Sequence, residues 1–114
     1  MPRKITFDTV RKMASTLPGV EESTNSFGTA LKVKGKLMTC MATNKSAEPN
    51  SLVVKIDFDQ RDALIAEAPD TYYITDHYVG YPSVLVRLSR VTPEALQDLI
   101  QTAWRFASAE KKRK

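Results

Sequence analysis

The stretch TALKVKGKLMTCMAT, residues 29–43, decides the fold of this chain. In it, Leu31 and Val33 alternate with Lys32 and Lys34, so one face is apolar and the other is charged. Such period-two alternation is typical of a half-buried β-strand, and the glycine that follows is a residue that tight turns favour. The stretch therefore predicts a β-hairpin whose apolar face packs on the core.

The segments on either side of this hairpin have helical or extended patterns. Upstream, residues 5–20 repeat apolar side chains at helical spacing, with Thr6 as candidate N-cap. Asp59 and Thr92 stand at candidate N-cap positions of two further helices. The downstream patterns predict, in order, a strand over 52–58, a short helix over 59–69, a strand over 83–91 and a helix over 92–108. This order favours the α+β class: a single-domain antiparallel sheet with three helices packed mainly on one face.

The composition is that of an ordinary soluble domain. The chain has 114 residues, of which 42% are hydrophobic and 26% are charged. Its single cysteine, Cys40, excludes an internal disulfide and fits a reducing compartment. We see no apolar run of the roughly 18 residues that a membrane span needs, and no signal-peptide pattern in residues 1–10. We therefore expect a cytoplasmic monomer without membrane contact.

The charges are segregated along the chain. Residues 32–55 carry five lysines and one glutamate, whereas residues 57–98 carry three arginines and eight acidic side chains. The formal net charge of +4 equals that of the last four residues, KKRK, so residues 1–110 are neutral as a whole. We interpret residues 1–110 as the domain and residues 111–114 as a basic tail. A high isoelectric point alone is then weak support for nucleic-acid binding.

Enzyme and metal motifs are not found in the sequence. No phosphate-binding GxxxxGK[ST], GxGxxG, HExxH or CxxC pattern occurs. His77 is the only histidine, and its neighbour Asp76 would point to the opposite side in an extended segment. One histidine and one distant cysteine, Cys40, cannot build a closed zinc site, and Cys40 fits a small buried thiol. The sequence predicts no catalytic residues, no metal and no cofactor.

The stretch YYITDHYVGYPSV, residues 72–84, contains all four tyrosines and the only histidine. Packing of a long connection explains such a cluster, because tyrosine buries its ring while its hydroxyl remains hydrated or hydrogen-bonded. Exposed aromatic rings could instead stack on unpaired bases or line a groove for a ligand. If the stretch is a site, its residues are His77, Tyr78 and Tyr81, with Arg87 alongside.

The lysines of the hairpin also have two interpretations. Lys32 and Lys34 are predicted to share one strand face, with Lys36 just past the turn, and this row could contact phosphates. A solvent-facing strand also needs polar residues, and lysine there discourages edge-to-edge pairing. The tail could add nonspecific contacts to nucleic acid. The tail residues are Lys111, Lys112, Arg113 and Lys114.

Three motifs, in order, resemble those of the MmcQ/YjbR-like family of small bacterial proteins: LPGVEES (17–23), FGTALKVKGKLM (27–38) and YYITDHYVGYPSVLVRL (72–88). The resemblance implies a CyaY-like fold and a double-wing arrangement, and hence DNA binding. It implies no catalytic residues. We expect a non-enzymatic DNA-binding module that uses the lysine hairpin. The alternative is a protein- or small-ligand-interaction domain with a groove at the Tyr72–Tyr81 loop.

Overall fold

The computed structural model describes residues 5–25, 28–43 and 45–109. These residues form three α-helices, six β-strands and one short 3₁₀ helix. In chain order they are α1 (Phe7–Ala14), β1 (Val20–Asn25), β2 (Gly28–Val33), β3 (Lys36–Met41), β4 (Ser51–Lys55), α2 (Phe58–Glu67), β5 (Tyr72–Tyr73), the 3₁₀ helix (Asp76–Tyr78), β6 (Ser83–Arg87) and α3 (Pro93–Ala109). None of the helices in the described ranges is both long and apolar enough to cross a membrane.

The strands form one sheet in the order β1-β2-β3-β4-β6-β5, and every neighbouring pair is antiparallel. The core lies between the helices and one face of this sheet. Leu52 and Val54 of β4 are completely buried there, and so is Val84 of β6. From the helices, Val10 and Ile100 pack into the same cluster. The predicted α+β fold, with an antiparallel sheet and three helices, is confirmed.

Two of the six strands were missed by the sequence pattern, and both lie at an edge of the sheet. The sequence patterns predict no strand at β1, which pairs with β2 from Val20 opposite Val33 to Asn25 opposite Gly28. β5 has two residues and pairs only with β6. An edge strand has one partner, so it needs little apolar alternation to form. In β1, Val20 is the one apolar residue.

Two of the three predicted helix caps are confirmed. Thr6 precedes α1, and the Thr92 hydroxyl accepts a 3.1 Å hydrogen bond from the Ala95 amide at the start of α3. The prediction of Asp59 as cap of α2 is wrong. The helix already begins at Phe58, so the cap is Asp57, whose carboxylate accepts a 2.8 Å hydrogen bond from the Gln60 amide.

The antiparallel pairing brings several segments to one end of the sheet. Met41 of β3 pairs with Leu52 of β4, so the other ends of these two strands meet near the β2–β3 turn. Lys55, the last residue of β4, pairs with Ser83, the first of β6. We call the end with the β2–β3 turn, the end of β4 and the start of β6 the hairpin end.

Candidate functional site

The β2–β3 turn exposes a lysine at the hairpin end. Lys34 and Gly35 both have positive φ angles, 53° and 76°, as in the two-residue turns that suit β-hairpins. Lys34 is exposed, whereas Lys36 is half-buried at the start of β3. Lys34 therefore belongs to the turn, which corrects the prediction that it shares a strand face with Lys32. In the described part of the chain, Lys34 has no ion-pair partner.

The three hairpin lysines surround the turn and do not form a row. Lys32 pairs with Glu21 of β1, so opposite charges meet across these strands. Lys36 pairs with Val33, the residue after Lys32. Directly paired residues project from the same face and consecutive residues from opposite faces, so Lys32 and Lys36 lie on opposite faces.

Further basic residues approach the hairpin end. Lys55 lies at the end of β4. The last turns of α3 also lie near the hairpin end, because the Trp104 indole donates a 2.9 Å hydrogen bond to the carbonyl of Pro18. Pro18 comes just before β1, whose first residue, Val20, pairs with Val33 next to the β2–β3 turn. Arg105, next along α3, is exposed. The predicted tail residues, 111–114, lie outside the described residues. The acidic stretch 57–98 forms α2, β5, β6 and the start of α3, so the sheet order places its strands away from β1 and β2.

A second exposed surface lies at the same end of the sheet, around Arg61. The large hydrophobic side chains that are most exposed in the described residues are Phe58, Val79 and Tyr81, at 44%, 55% and 54%. The Arg61 guanidinium stacks 4.9 Å from the centre of the Phe58 ring. It also donates hydrogen bonds of 3.0 and 3.4 Å to the carbonyls of Val79 and Tyr81. One buried arginine therefore holds three exposed apolar residues together.

The 3₁₀ helix adds His77 to this surface. The His77 ring meets Tyr78 edge-on, with ring centres 4.8 Å apart, and its centre is 6.3 Å from that of Tyr81. We call Phe58, His77, Val79 and Tyr81 the aromatic patch. The structure thus brings together His77, Tyr78 and Tyr81, the tyrosine-stretch residues that the sequence proposed as a site.

The structure does not bring Arg87 to the aromatic patch, because Arg87 ends β6 far from the hairpin end. Its guanidinium forms a two-pronged ion pair with Glu48, at 2.7 and 2.9 Å. It also donates hydrogen bonds to the carbonyls of Pro69 and Asp70 and lies 4.2 Å from the centre of the Tyr73 ring. Arg87 therefore ties the β3–β4 connection to the segment before β5, which is a structural role.

The sequence patterns did not identify Arg61 and Tyr73, two residues whose side chains hold separate segments of the chain together. Arg61 lies three and four residues before Leu64 and Ile65, so helical spacing already placed it on the inward face of α2. The Tyr73 hydroxyl lies 2.6 Å from the Ser51 hydroxyl and accepts a 2.8 Å hydrogen bond from the Glu48 amide. No sequence pattern indicates this contact, because it joins residues more than 20 positions apart.

The Arg87 guanidinium lowers the pKa of the Glu48 carboxyl, mainly through their hydrogen bonds. A depressed folded-state pKa stabilises the protein above the unfolded pKa of about 4.3, and that contribution is lost as the pH falls through the lower folded value. We expect Glu48→Gln to be less stable than the natural chain at pH 7. Urea unfolding from pH 7 to 3 should show this difference shrinking below pH of about 4.3. A pH-independent difference would contradict the role of the charge.

Cys40 lies half-buried on the sheet face opposite the core. Burial raises the pKa of its thiol, and the positive charge of Lys55 opposes this only in part. The thiol is therefore protonated at neutral pH, unlike a redox-active thiolate. Within residues 5–25, 28–43 and 45–109, no three His, Cys, Asp or Glu side chains are grouped to hold a metal ion.

Comparisons with known proteins agree on family and fold. A sequence model of the YjbR family matches residues 15–106. Uncharacterized proteins of Mycobacterium bovis and Mycobacterium tuberculosis are 50% identical over 42 residues, which are 37% of this chain and 33% of each relative. The match thus spans a third of the length of these relatives. A crystal structure from Deinococcus radiodurans, of the domain family DUF419, superposes with a TM-score of 0.75 and 22% identity, over 97% of this chain and 84% of that one.

Proposed function

The chain belongs to the YjbR family, and from this premise we propose that it is a non-enzymatic DNA-binding module that contacts DNA with the hairpin end. The observation that carries the proposal is the exposed turn lysine, Lys34, with Lys36 two residues later at the start of β3. A β-hairpin that presents lysines at its turn can reach phosphates of a DNA backbone.

The charges nearby support a surface for phosphates. Lys32 and Lys55 lie near the same end of the sheet, which brings the number of lysines around the hairpin end to four, although Lys32 faces Glu21 across the strands. Each phosphate that a lysine neutralises releases counterions, so four contacts predict that affinity falls roughly 100-fold between about 50 and 200 mM salt. Such contacts position a protein on DNA without reading its sequence, so we propose binding without sequence preference.

The test is a fluorescence-anisotropy titration of labelled double-stranded DNA over this salt range. We expect Lys34→Ala/Lys36→Ala to weaken binding and to lower the slope of log affinity against log salt by about 2, one per lost contact. The matched control is Lys45→Ala/Arg90→Ala, which removes two positive charges from exposed positions at the opposite end of the sheet.

Two results would contradict the proposal. The first is an equal effect of the two double variants, which would indicate attraction to net charge. The second is loss of all binding in a chain shortened to residues 1–110, which would assign the binding to the tail. Circular dichroism should confirm that each variant retains its fold.

A second candidate function is a protein-interaction domain that uses the aromatic patch. The convergence of Phe58, Val79 and Tyr81 around Arg61 favours it, since exposed apolar side chains grouped in this way are typical of binding surfaces. The exposed carboxylates of Asp59 and Asp76 flank the patch and would repel phosphate. The partner that fits is therefore a protein segment with apolar and basic side chains. Its binding would tolerate salt and would be lost in Tyr81→Ala, whereas DNA binding at the hairpin would be unaffected.

A further inference from the structure

Helices α2 and α3 are separated by an open groove. Its cavity has a volume of about 430 Å³, within the range of small-molecule sites. Its apolar lining includes Ile56, Leu64, Tyr72 and Leu99. Leu64 remains half-exposed although it packs against the core, and it lines the groove opposite Leu99 of α3. We call this space the α2–α3 groove.

Small side chains keep the groove open. Its lining includes Ala63 of α2, Ala68 directly after α2 and Ala95 of α3, where longer side chains would fill the gap. The long side chain of Arg61 does not enter it, because its guanidinium points to the 79–81 loop. The groove is therefore a property of the sequence of both helices.

The charged side chains that line the groove are both acidic. Glu67 of α2 and Asp98 of α3 stand on its two walls, and both are exposed. Burial and the negative charge of Glu67 raise the pKa of the Tyr72 hydroxyl, which stays protonated at neutral pH. Beyond Gln60 and Thr102 the groove continues into a smaller cavity whose lining includes Asp57 and Arg105. The main cavity thus combines an apolar floor with a negative rim.

We propose that the α2–α3 groove binds a small organic cation, namely an amine with an aromatic or aliphatic body. The apolar body would cover Leu64 and Leu99, and the ammonium group would lie between the carboxylates of Glu67 and Asp98. A carboxylate ligand of the same shape would be repelled by the same two groups. This proposal does not depend on DNA binding at the hairpin end.

The test uses the full-length protein, with tryptamine as probe and indole-3-acetate as the anionic analogue. Titrations followed by ¹H–¹⁵N NMR should show saturable shifts with tryptamine at residues 63–68 and 95–102. Indole-3-acetate should produce no saturable shifts there. We expect Glu67→Gln/Asp98→Asn to weaken tryptamine binding roughly 10-fold, equivalent to about 1.4 kcal/mol.

Matched variants distinguish binding in the groove from nonspecific attraction of cations to acidic side chains. Asp59→Asn/Glu94→Gln removes the same two charges from exposed positions of the same helices outside the groove, and it should leave the affinity unchanged. Ala95→Leu should fill the groove and abolish binding while the spectrum outside α2 and α3 is retained. Equal binding of both probes, shifts outside the groove, or no saturation by about 10 mM tryptamine would overturn the proposal.

Discussion

Replacing Arg87 by methionine is expected to destabilise the protein by about 3 kcal/mol. The substitution removes the ion pair with Glu48 and the hydrogen bonds to the carbonyls of Pro69 and Asp70. Hydrogen bonds that involve a charged group are each worth about 1.5–3 kcal/mol, and partial exposure of the ion pair lowers its share. The substitution also removes the guanidinium from its position 4.2 Å from the centre of the Tyr73 ring. Methionine retains much of the apolar stem of the side chain, so the loss reports mainly on the guanidinium.

Urea unfolding at pH 7 measures this effect. The control is Arg90→Met, the same substitution three residues later at an exposed position, which should change the free energy of unfolding by less than about 0.5 kcal/mol. Similar losses in both variants would contradict the anchoring role of Arg87, because they would reflect the loss of positive charge alone.

The sequence predicted the central part of the sheet because its strands have two neighbours. Leu31 and Val33 alternate with polar residues, and β4 and β6 have nearly continuous apolar runs such as Leu52–Val54. These patterns arise because a strand inside the sheet buries one or both of its faces, and the side chains on a buried face are apolar. β1 has a single apolar residue, Val20, and its backbone pairs with β2 all the same. Pairing of that kind leaves little trace in hydropathy.

The candidate sites were predicted in part, and the reason is the range of the contacts that form them. His77, Tyr78 and Tyr81 are close in sequence, so their grouping followed from composition alone. Phe58 joins them through Arg61, and this contact connects a helix to a loop 18 residues later. Likewise, the alternation of apolar and polar residues could not show that Lys34 belongs to the turn. A shift of the turn by one residue reverses the sheet face of every later side chain, so the exact turn position decides which lysines share a face.

Replacing Arg61 by methionine is expected to destabilise the protein by about 2–4 kcal/mol and to loosen the aromatic patch. Arg61 is 7% exposed, so the Val79 and Tyr81 carbonyls would lose a buried donor that water replaces only if the loop opens. A buried acceptor without a partner costs about 1–3 kcal/mol. The Val79 carbonyl is the acceptor most affected, at 3.0 Å from Arg61. The Tyr81 carbonyl, at 3.4 Å, would keep the 2.8 Å hydrogen bond that it accepts from the Ser83 amide.

Urea unfolding and amide hydrogen exchange would test both parts of this prediction. Exchange should accelerate at Tyr81 and Ser83, whose amides donate to carbonyls within the same loop, at 3.0 and 2.8 Å. It should remain slow in β3, which Arg61 does not contact. Arg105→Met, an exposed arginine of α3, is the matched control and should leave both measurements unchanged. Unchanged loop exchange in Arg61→Met would show that the aromatic patch is held without its arginine, and a partner of the patch would then bind this variant as well as the natural chain.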